Sequence, residues 1–184
     1  MAISSILYRF QIELSDIDRG VYKSLDWRVA CHPSEDSERM VVRVLARAIA
    51  HEEGLDFGRG LRTPEDPALW TRSGTGEVAL WIDVGMPTAA RLHRASKRAD
   101  RVMVFTHKSE SSLRKEWSSR AIHAADGIEV VRLPAALIGE LASRLGRDVH
   151  WYLTLQEGGM SVAEGEDSLD GTLERLSLAT FLAA

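Results

Sequence analysis

Glu38, Asp66 and Asp83 are carboxylates whose positions suit them to hold a metal ion, and Arg91 and Arg94 are the cations best placed to assist. Asp83 lies near the end of the apolar run Val78-Ala-Leu-Trp-Ile-Asp-Val84. A carboxylate in such a run needs a compensating partner or serves a purpose. Two or three acids converging at the end of a sheet make an oxygen-rich site suited to Mg²⁺. A cation beside them steadies a phosphate and the hydroxide that attacks it. Arginine clamps phosphate well but, always charged, accepts no proton, so Arg91 and Arg94 predict electrostatic help and not general-base help. Plainer readings stand beside these. Glu38, on the buried edge of a first helical turn, suits capping or packing, and Arg91, Arg94, Arg98 and Arg101 have the spacing of one solvent-facing stripe.

The elements that must position these groups follow from periodicity. Glu77 to Gly85 is a buried strand, Met86-Pro-Thr88 a break, Ala89 to Asp100 a helix and Arg101 to Thr106 a second strand, which together form a β-α-β unit. Residues in the first two turns of that helix stay nearest Asp83, which favours Arg91 and Arg94 over Lys97, roughly 13 Å along from Thr88. Upstream, Ala68–Ser73 and Val78–Val84 form a hairpin around Gly74-Thr-Gly76, and antiparallel pairing allows Asp66 and Asp83 to lie at the same end of the sheet. Glu38 falls in a helix with Ser34 as N-cap and Val41, Val44, Leu45, Ala48 and Ile49 inward, running to about Glu53 before Gly54. His32, ahead of Pro33, is a further candidate for the site, or else a cap of the turn.

The rest of the chain reads as mixed α and β. Ile6–Leu14 and Leu25–Cys31 alternate as a likewise antiparallel N-terminal hairpin whose turn contains Asp16, Asp18 and Arg19. Leu55 to Pro67 is an irregular connection broken by Gly58, Gly60, Pro64 and Pro67. Ser109 caps a helix with Leu113, Trp117, Ala121 and Ala124 at helical spacing, Glu129–Leu133 is a strand, and Pro134 to Gly146 is a helix. A C-terminal β-layer follows: Val149–Gln156, Met160–Ala163, an acidic loop, and Thr172–Phe181. The expected architecture is α/β: a mixed central sheet flanked by helices, in one domain over residues 1–184 with its core at about 34–133. Trp27, Trp70 and Trp81 lie on strands and read as core; His93, His107 and His123 lack ligand spacing.

Bulk properties bound the function. The 184 residues are 45% hydrophobic and 27% charged, ordinary for a soluble globular protein, and no apolar run reaches membrane-spanning length. No signal peptide is expected at the N-terminus, and the single cysteine, Cys31, excludes an internal disulfide and fits a cytoplasmic location. A net charge of −4 argues against general affinity for nucleic acid, but the charge is uneven. Residues 91–120 hold nine Lys/Arg against three acids, a local +6, while residues 157–174 hold six acids and no base. Solvated faces of opposite sign, or a functional basic patch, are the two readings.

The chain also resembles the YaeQ family over nearly all its length. The resemblance rests on Asp16-Ile-Asp-Arg19, His32-Pro-Ser-Glu35 with Glu38-Arg-Met40, Arg59-Gly-Leu61, Asp66-Pro67 with Trp70, and Leu80-Trp-Ile-Asp-Val-Gly-Met-Pro87. It implies a variant of the PD-(D/E)XK nuclease-like fold, used by many restriction-type enzymes. Under that resemblance the helix glutamate is Glu38 and the strand acid is Asp83, but Gly85 stands where the motif lysine belongs. The Pro-Asp element falls on Pro67-Ala68, leaving Asp66 as an out-of-register substitute. Two expectations follow. One is a Mg²⁺-dependent phosphodiesterase on nucleic acid, with Glu38, Asp83 and Asp66 on the metal and Arg91 and Arg94 on phosphate. The other is a non-catalytic member of the fold that binds nucleic acid or a protein partner.

Overall fold

A computed structural model describes residues 5–59, 63 and 65–184. The expected breaks at Gly60 and Pro64, and Leu61 of the Arg59-Gly-Leu61 motif, lie outside the described residues. In chain order the strands are β1 (Ile6–Asp16), β2 (Val21–Cys31), β3 (Asp56–Phe57), β4 (Leu69–Arg72), β5 (Val78–Val84), β6 (Ala99–Thr106), β7 (Ile128–Arg132), β8 (Asp148–Gln156), β9 (Gly159–Glu164), β10 (Asp167–Thr172) and β11 (Glu174–Ser177). The helices are α1 (Ser37–Ile49), α2 (Ala89–Ala95), α3 (Glu110–Trp117), α4 (Ala135–Ser143) and α5 (Leu178–Ala183). None of them is long and apolar enough to cross a membrane. The fold is mixed α/β with two mixed sheets, and the chain divides into two compact units, each discontinuous in sequence.

The first unit holds the described residues up to Ala50 and Leu133–Leu173. Its sheet runs β10-β9-β8-β1-β2. The N-terminal hairpin and the C-terminal β-layer, read from sequence as separate features, are thus one sheet, joined by parallel pairing of β1 with β8. Strand alternation sends Phe10, Ile12 and Leu14 of β1 and Val149, Trp151, Leu153 and Leu155 of β8 inward, where Phe10 meets Trp151 edge-on at 5.4 Å. α1 and α4 pack together in this unit.

The loop into α1 differs from expectation. The N-cap is Asp36, whose carboxylate accepts from the Arg39 N–H at 2.7 Å, and not Ser34, whose hydroxyl meets His32 Nδ1 at 2.7 Å. The reason is the residue between them. Glu35 turns inward and takes Arg43 through both oxygens, at 2.9 and 2.8 Å, with Arg39 Nη1 at 2.9 Å. Arg43 Nη2 also donates to the Ala30 carbonyl of β2 at 2.9 Å. The Glu35 and Arg43 side chains are only 3% and 6% exposed, so this pair ties strand, loop and helix together out of water. At the other end, α1 stops at Ile49 and not near Glu53. Arg19, held by Asp16 at 2.6 Å, donates to the Ile49 carbonyl at 2.7 Å and satisfies one of the helix's terminal acceptors. Asp18 accepts the Glu157 N–H at 2.9 Å, which closes the β1–β2 turn onto the β8–β9 turn.

The second unit holds His51–Arg132 and Glu174–Ala184. Its sheet runs β11-β7-β6-β5-β4-β3, with β5, β6 and β7 parallel and the outer pairings antiparallel. One face presents Trp81, Val102, Val104, Ile128 and Val130 to α2, α3 and α5, which contribute Leu92, Ala95, Leu113, Trp117, Leu178 and Phe181. The β4–β5 hairpin and the β5-α2-β6 unit stand where periodicity puts them. α2 ends earlier than expected, at Ala95, and β6 begins at Ala99. α3 ends at Trp117, so Ala121 and Ala124 leave the helix; Ala124 adopts φ 49°. The terminal segment, expected as strand to Phe181, is β11 followed by α5, because the Ser177 hydroxyl accepts the Thr180 N–H at 3.0 Å and caps a helical turn.

Removing one partner from a buried ion pair leaves the other charged and unsolvated. Glu35→Ala is expected to cost about 3–5 kcal/mol in urea-induced unfolding. A loss below about 1 kcal/mol, the range of exposed pairs, would show that the Glu35–Arg43 pair does not hold the first unit together.

Candidate functional site

Asp83 is the last inward-facing polar residue of β5, and its side chain is 5% exposed. After Val84 the strand ends: Gly85 has φ +83° and donates to the Phe105 carbonyl at 2.9 Å. Thr88 then caps α2, its hydroxyl accepting the Arg91 N–H at 3.2 Å. This cap fixes the first turn of α2 so that Arg91 reaches back to the strand. Arg91 Nε donates to Asp83 Oδ2 at 2.7 Å and Nη2 to Oδ1 at 2.8 Å. Arg91 Nη2 also donates to the main-chain carbonyl of Asp66 at 2.6 Å, and its guanidinium lies 5.4 Å from the Trp81 ring centroid.

The electrostatics follow from that fork. Burial is the largest single influence on Arg91 and works to lower its pKa; the hydrogen bond and charge of Asp83, with the charges of Glu65 and Asp66, outweigh it and hold the pKa above the ordinary value. Arg91 is therefore a fixed cation, and both oxygens of Asp83 are engaged by it. The Asp66 carboxylate takes Arg59, at 2.6 and 3.2 Å. The antiparallel hairpin does bring residues 66 and 83 to one end of the sheet, but what meets Asp83 there is the Asp66 carbonyl, through Arg91.

Glu38 is in the first turn of α1 in the first unit, half-buried, with Oε1 near Gly139 of α4. Arg94 and Lys97 are exposed. His32 Nδ1 also accepts the Ser34 N–H at 3.2 Å and belongs to the turn before α1. Among the described residues, no three His, Cys, Asp or Glu side chains are grouped to hold a metal ion. Gly85, where the resemblance leads one to expect a motif lysine, offers no side chain, and its backbone suits few other residues. A residue with a Cβ would be strained at φ +83°, beyond the end of the strand. Burial, reinforced by the charge of Glu35, pushes the Cys31 thiol up and disfavours its thiolate.

Eight of the nine bases in the stretch 91–120 fall into two groups. Arg91, Arg101 and Arg114 are paired with Asp83, Glu52 and Glu110. Arg94, Lys97, Arg98, Lys115 and Arg120 are exposed and make no ion pair among the described residues. The stripe expected at 91, 94, 98 and 101 is thus broken at both ends. α2 and α3 are held together by Glu116, which accepts the Ala89 N–H at 3.1 Å, and by the Trp117 indole, which donates to the Pro87 carbonyl at 2.8 Å. The loop after α3 returns to α2, where the His123 N–H donates to His93 Nδ1 at 3.2 Å. The unpaired bases therefore sit on one connected helical layer. The sequence reading missed two features of these sites: Glu35 with Arg39 and Arg43, whose signal is the spacing of four between successive members, and Arg59 as the partner of Asp66.

The family model described as YaeQ protein matches residues 1–173. The chain is 28% identical over 177 residues to the Uncharacterized protein YaeQ of Escherichia coli (strain K12), covering 94% of this chain and 96% of that one. It is 27% identical over 172 residues to the protein of the same description from Salmonella typhi, covering 92% and 94%. Among solved structures, it is similar to the YaeQ protein from Pseudomonas syringae, with a TM-score of 0.84 and 34% identity over 94% of this chain and 96% of that one. The YaeQ protein from Xanthomonas axonopodis pv. citri gives a TM-score of 0.82 and 29% identity over 95% and 98%.

If Asp83 is chiefly the counter-ion of Arg91, Arg91→Ala strands a buried carboxylate and is expected to cost about 3 kcal/mol in urea unfolding. Replacing both, as Asp83→Leu with Arg91→Met, is expected to recover most of that loss. A single Arg91→Ala variant as stable as the wild type would remove the pair from any structural role.

Proposed function

The chain belongs to the YaeQ family, and on that premise we propose that it acts by binding nucleic acid through the exposed bases of α2, α3 and the turns that follow them, without hydrolysing it. The observation that carries this reading is the closed fork between Arg91 and Asp83. We read the second unit as an altered PD-(D/E)XK core, with β5 as the acid-bearing strand. In a working site of that kind the strand acid offers its oxygens to Mg²⁺, which demands near-octahedral oxygen ligands. Here a metal would first have to expel a half-buried guanidinium from both oxygens, and the Asp66 carboxylate is engaged by Arg59. The residues present do not suit the ion, and no proton acceptor stands at position 85.

What remains usable is positive charge. Arg94, Lys97, Arg98, Lys115 and Arg120 have no internal partner among the described residues, so bringing phosphates to them breaks no ion pair. Phosphate contacts of this sort release counter-ions from nucleic acid and need no base readout. The overall charge of −4 confines such binding to this layer. A second reading, Mg²⁺-dependent phosphodiester hydrolysis at the strand-end acids Asp66 and Asp83, keeps one observation in its favour. Arg91 already links Asp83 to the Asp66 main chain, so the two strand-end acids are neighbours in the fold.

Fluorescence anisotropy with a labelled oligonucleotide, titrated over a range of salt, tests the first reading. Replacing Arg94, Lys97, Lys115 and Arg120 by Ala is expected to weaken binding and to lower the log–log salt slope by roughly 0.7–0.9 for each phosphate no longer neutralised. Wild-type affinity in that variant would overturn it. Calorimetry separates the second: the wild type is expected to take up no Mg²⁺ at millimolar concentration, whereas saturable uptake abolished by Asp83→Asn would restore the hydrolase.

A further inference from the structure

We propose that β2 is a self-association edge, pairing antiparallel with β2 of a second copy of this chain about a two-fold axis at Trp27. β2 ends the sheet of the first unit: β1 lies on one side, and no strand lies on the other among the described residues. All eleven of its residues pair with β1 in unbroken register, so its free side is a long, regular row of alternating N–H and C=O groups. Such an edge is a template for another strand unless it is short, bulged, prolyl or covered. β2 is none of the first three, and Tyr22, Lys23, Ser24, Asp26, Arg28 and Ala30 along it are exposed.

The sequence of the strand then selects the partner and the register. A two-fold axis perpendicular to the sheet keeps the same face outward in both copies, and it must pass beside a residue that opposes itself. With Trp27 at the axis, Asp26 opposes the partner's Arg28 and Arg28 opposes the partner's Asp26, while Leu25 and Val29 oppose one another on the other face. Centring on Asp26 or on Arg28 instead sets a charge against its own copy, and centring on Leu25 leaves both charges opposite uncharged residues. Directly opposed side chains are close enough for opposite charges to stabilise and like charges to repel. Arg28 makes no ion pair among the described residues. Asp26 is held by Arg9 at 3.1 and 2.6 Å, and a carboxylate has acceptor sites left for a second donor. The stretch Leu25-Asp-Trp-Arg-Val29 is therefore self-complementary. Arg43 already occupies the Ala30 carbonyl, which confines new main-chain bonds to the segment before it.

Pairing along this edge would join two five-stranded sheets into one continuous layer. One strand buries little area, so the association is concentration-dependent and in the micromolar range or weaker. It does not depend on the nucleic-acid reading, because the residues involved lie in the first unit and the exposed bases in the second.

Sedimentation equilibrium at rising protein concentration, with circular dichroism to confirm folding, tests it. Wild type is expected to dimerise, and Arg28→Asp and Asp26→Arg each to weaken dimerisation about tenfold or more by setting like charges opposite one another. Mixing the two single variants is expected to give a heterodimer, since every opposed pair is then of opposite sign; the double swap in one chain is expected to restore the homodimer. A wild type still monomeric at hundreds of micromolar, or an Arg28→Asp variant that dimerises as the wild type does, overturns the proposal.

Discussion

A carboxylate taken out of water must be met by a cation of the right shape, and among its described residues this protein meets that demand with the same device three times. Glu35 is forked by Arg43, Asp83 by Arg91, and Asp16 is held by Arg19. In each case the arginine has an N–H to spare and gives it to a main-chain carbonyl: Ala30, Asp66 and Ile49 respectively. Lysine could neutralise the acid but could not span acid and carbonyl in one plane; the guanidinium fork does both. Each arginine thereby stitches together segments that secondary structure alone leaves independent: β2 to α1, the β3–β4 connection to β5 and α2, and the β1–β2 turn to the end of α1.

That device decides what the acids are available for. The phrases on which the family resemblance rests contain Asp16, Glu35, Asp66 and Asp83, and in this chain all four carboxylates face arginine. A polar residue in an apolar strand is consistent with either catalysis or bracing. Geometry separates the two, because a catalytic carboxylate keeps an oxygen for metal or substrate, whereas Asp83 gives both to Arg91. The basic residues divide the same way. Those beside acids are consumed in bracing, and those left over lie outward on α2, α3 and the loop that follows. A local charge of +6 counted along the sequence therefore overstates the positive surface and misplaces it, since its first member, Arg91, is spent on Asp83.

What was legible in the sequence was what short-range periodicity encodes. The β4–β5 hairpin, the β5-α2-β6 unit, the nearness of Asp66 and Asp83 in the sheet, and the preference for Arg91 and Arg94 over Lys97 follow from strand alternation and helical rise, although of the two arginines only Arg91 meets Asp83 among the described residues. What was hidden depends on distant partners. Nothing in Ile6–Asp16 announces that it pairs in parallel with Asp148–Gln156, more than a hundred residues on, and so the N-terminal hairpin and C-terminal layer read as separate pieces. Ser34, Glu35 and Asp36 each have a side chain able to cap α1, and the choice falls to Asp36 only because Arg43 claims Glu35. Leu178, Phe181 and Leu182 have helical spacing, but in so short a run that spacing competes with a strand until the Ser177 cap is seen.

The two sheets also differ in how they end, and the difference follows from where charge is spent. The second sheet is closed at its margins by β3 and β11, of two and four residues, too short to template another strand. The first sheet ends on one side in β10, where Asp167 and Asp170 oppose pairing by repulsion and Gly171 weakens the strand. Its other margin, β2, has neither defence. It is long and regular, and its two central charges are of opposite sign on one face, set symmetrically about Trp27. Repulsion protects an edge only when the charges on it are alike. An edge whose one face bears a charge of each sign, equidistant from a central residue, repels a strand in every other residue-centred register it can reach or leaves those charges unmatched, and attracts its own copy in one. The same physics that makes buried pairs structural in the interior thus makes an exposed, half-satisfied pair on β2 a determinant of specificity.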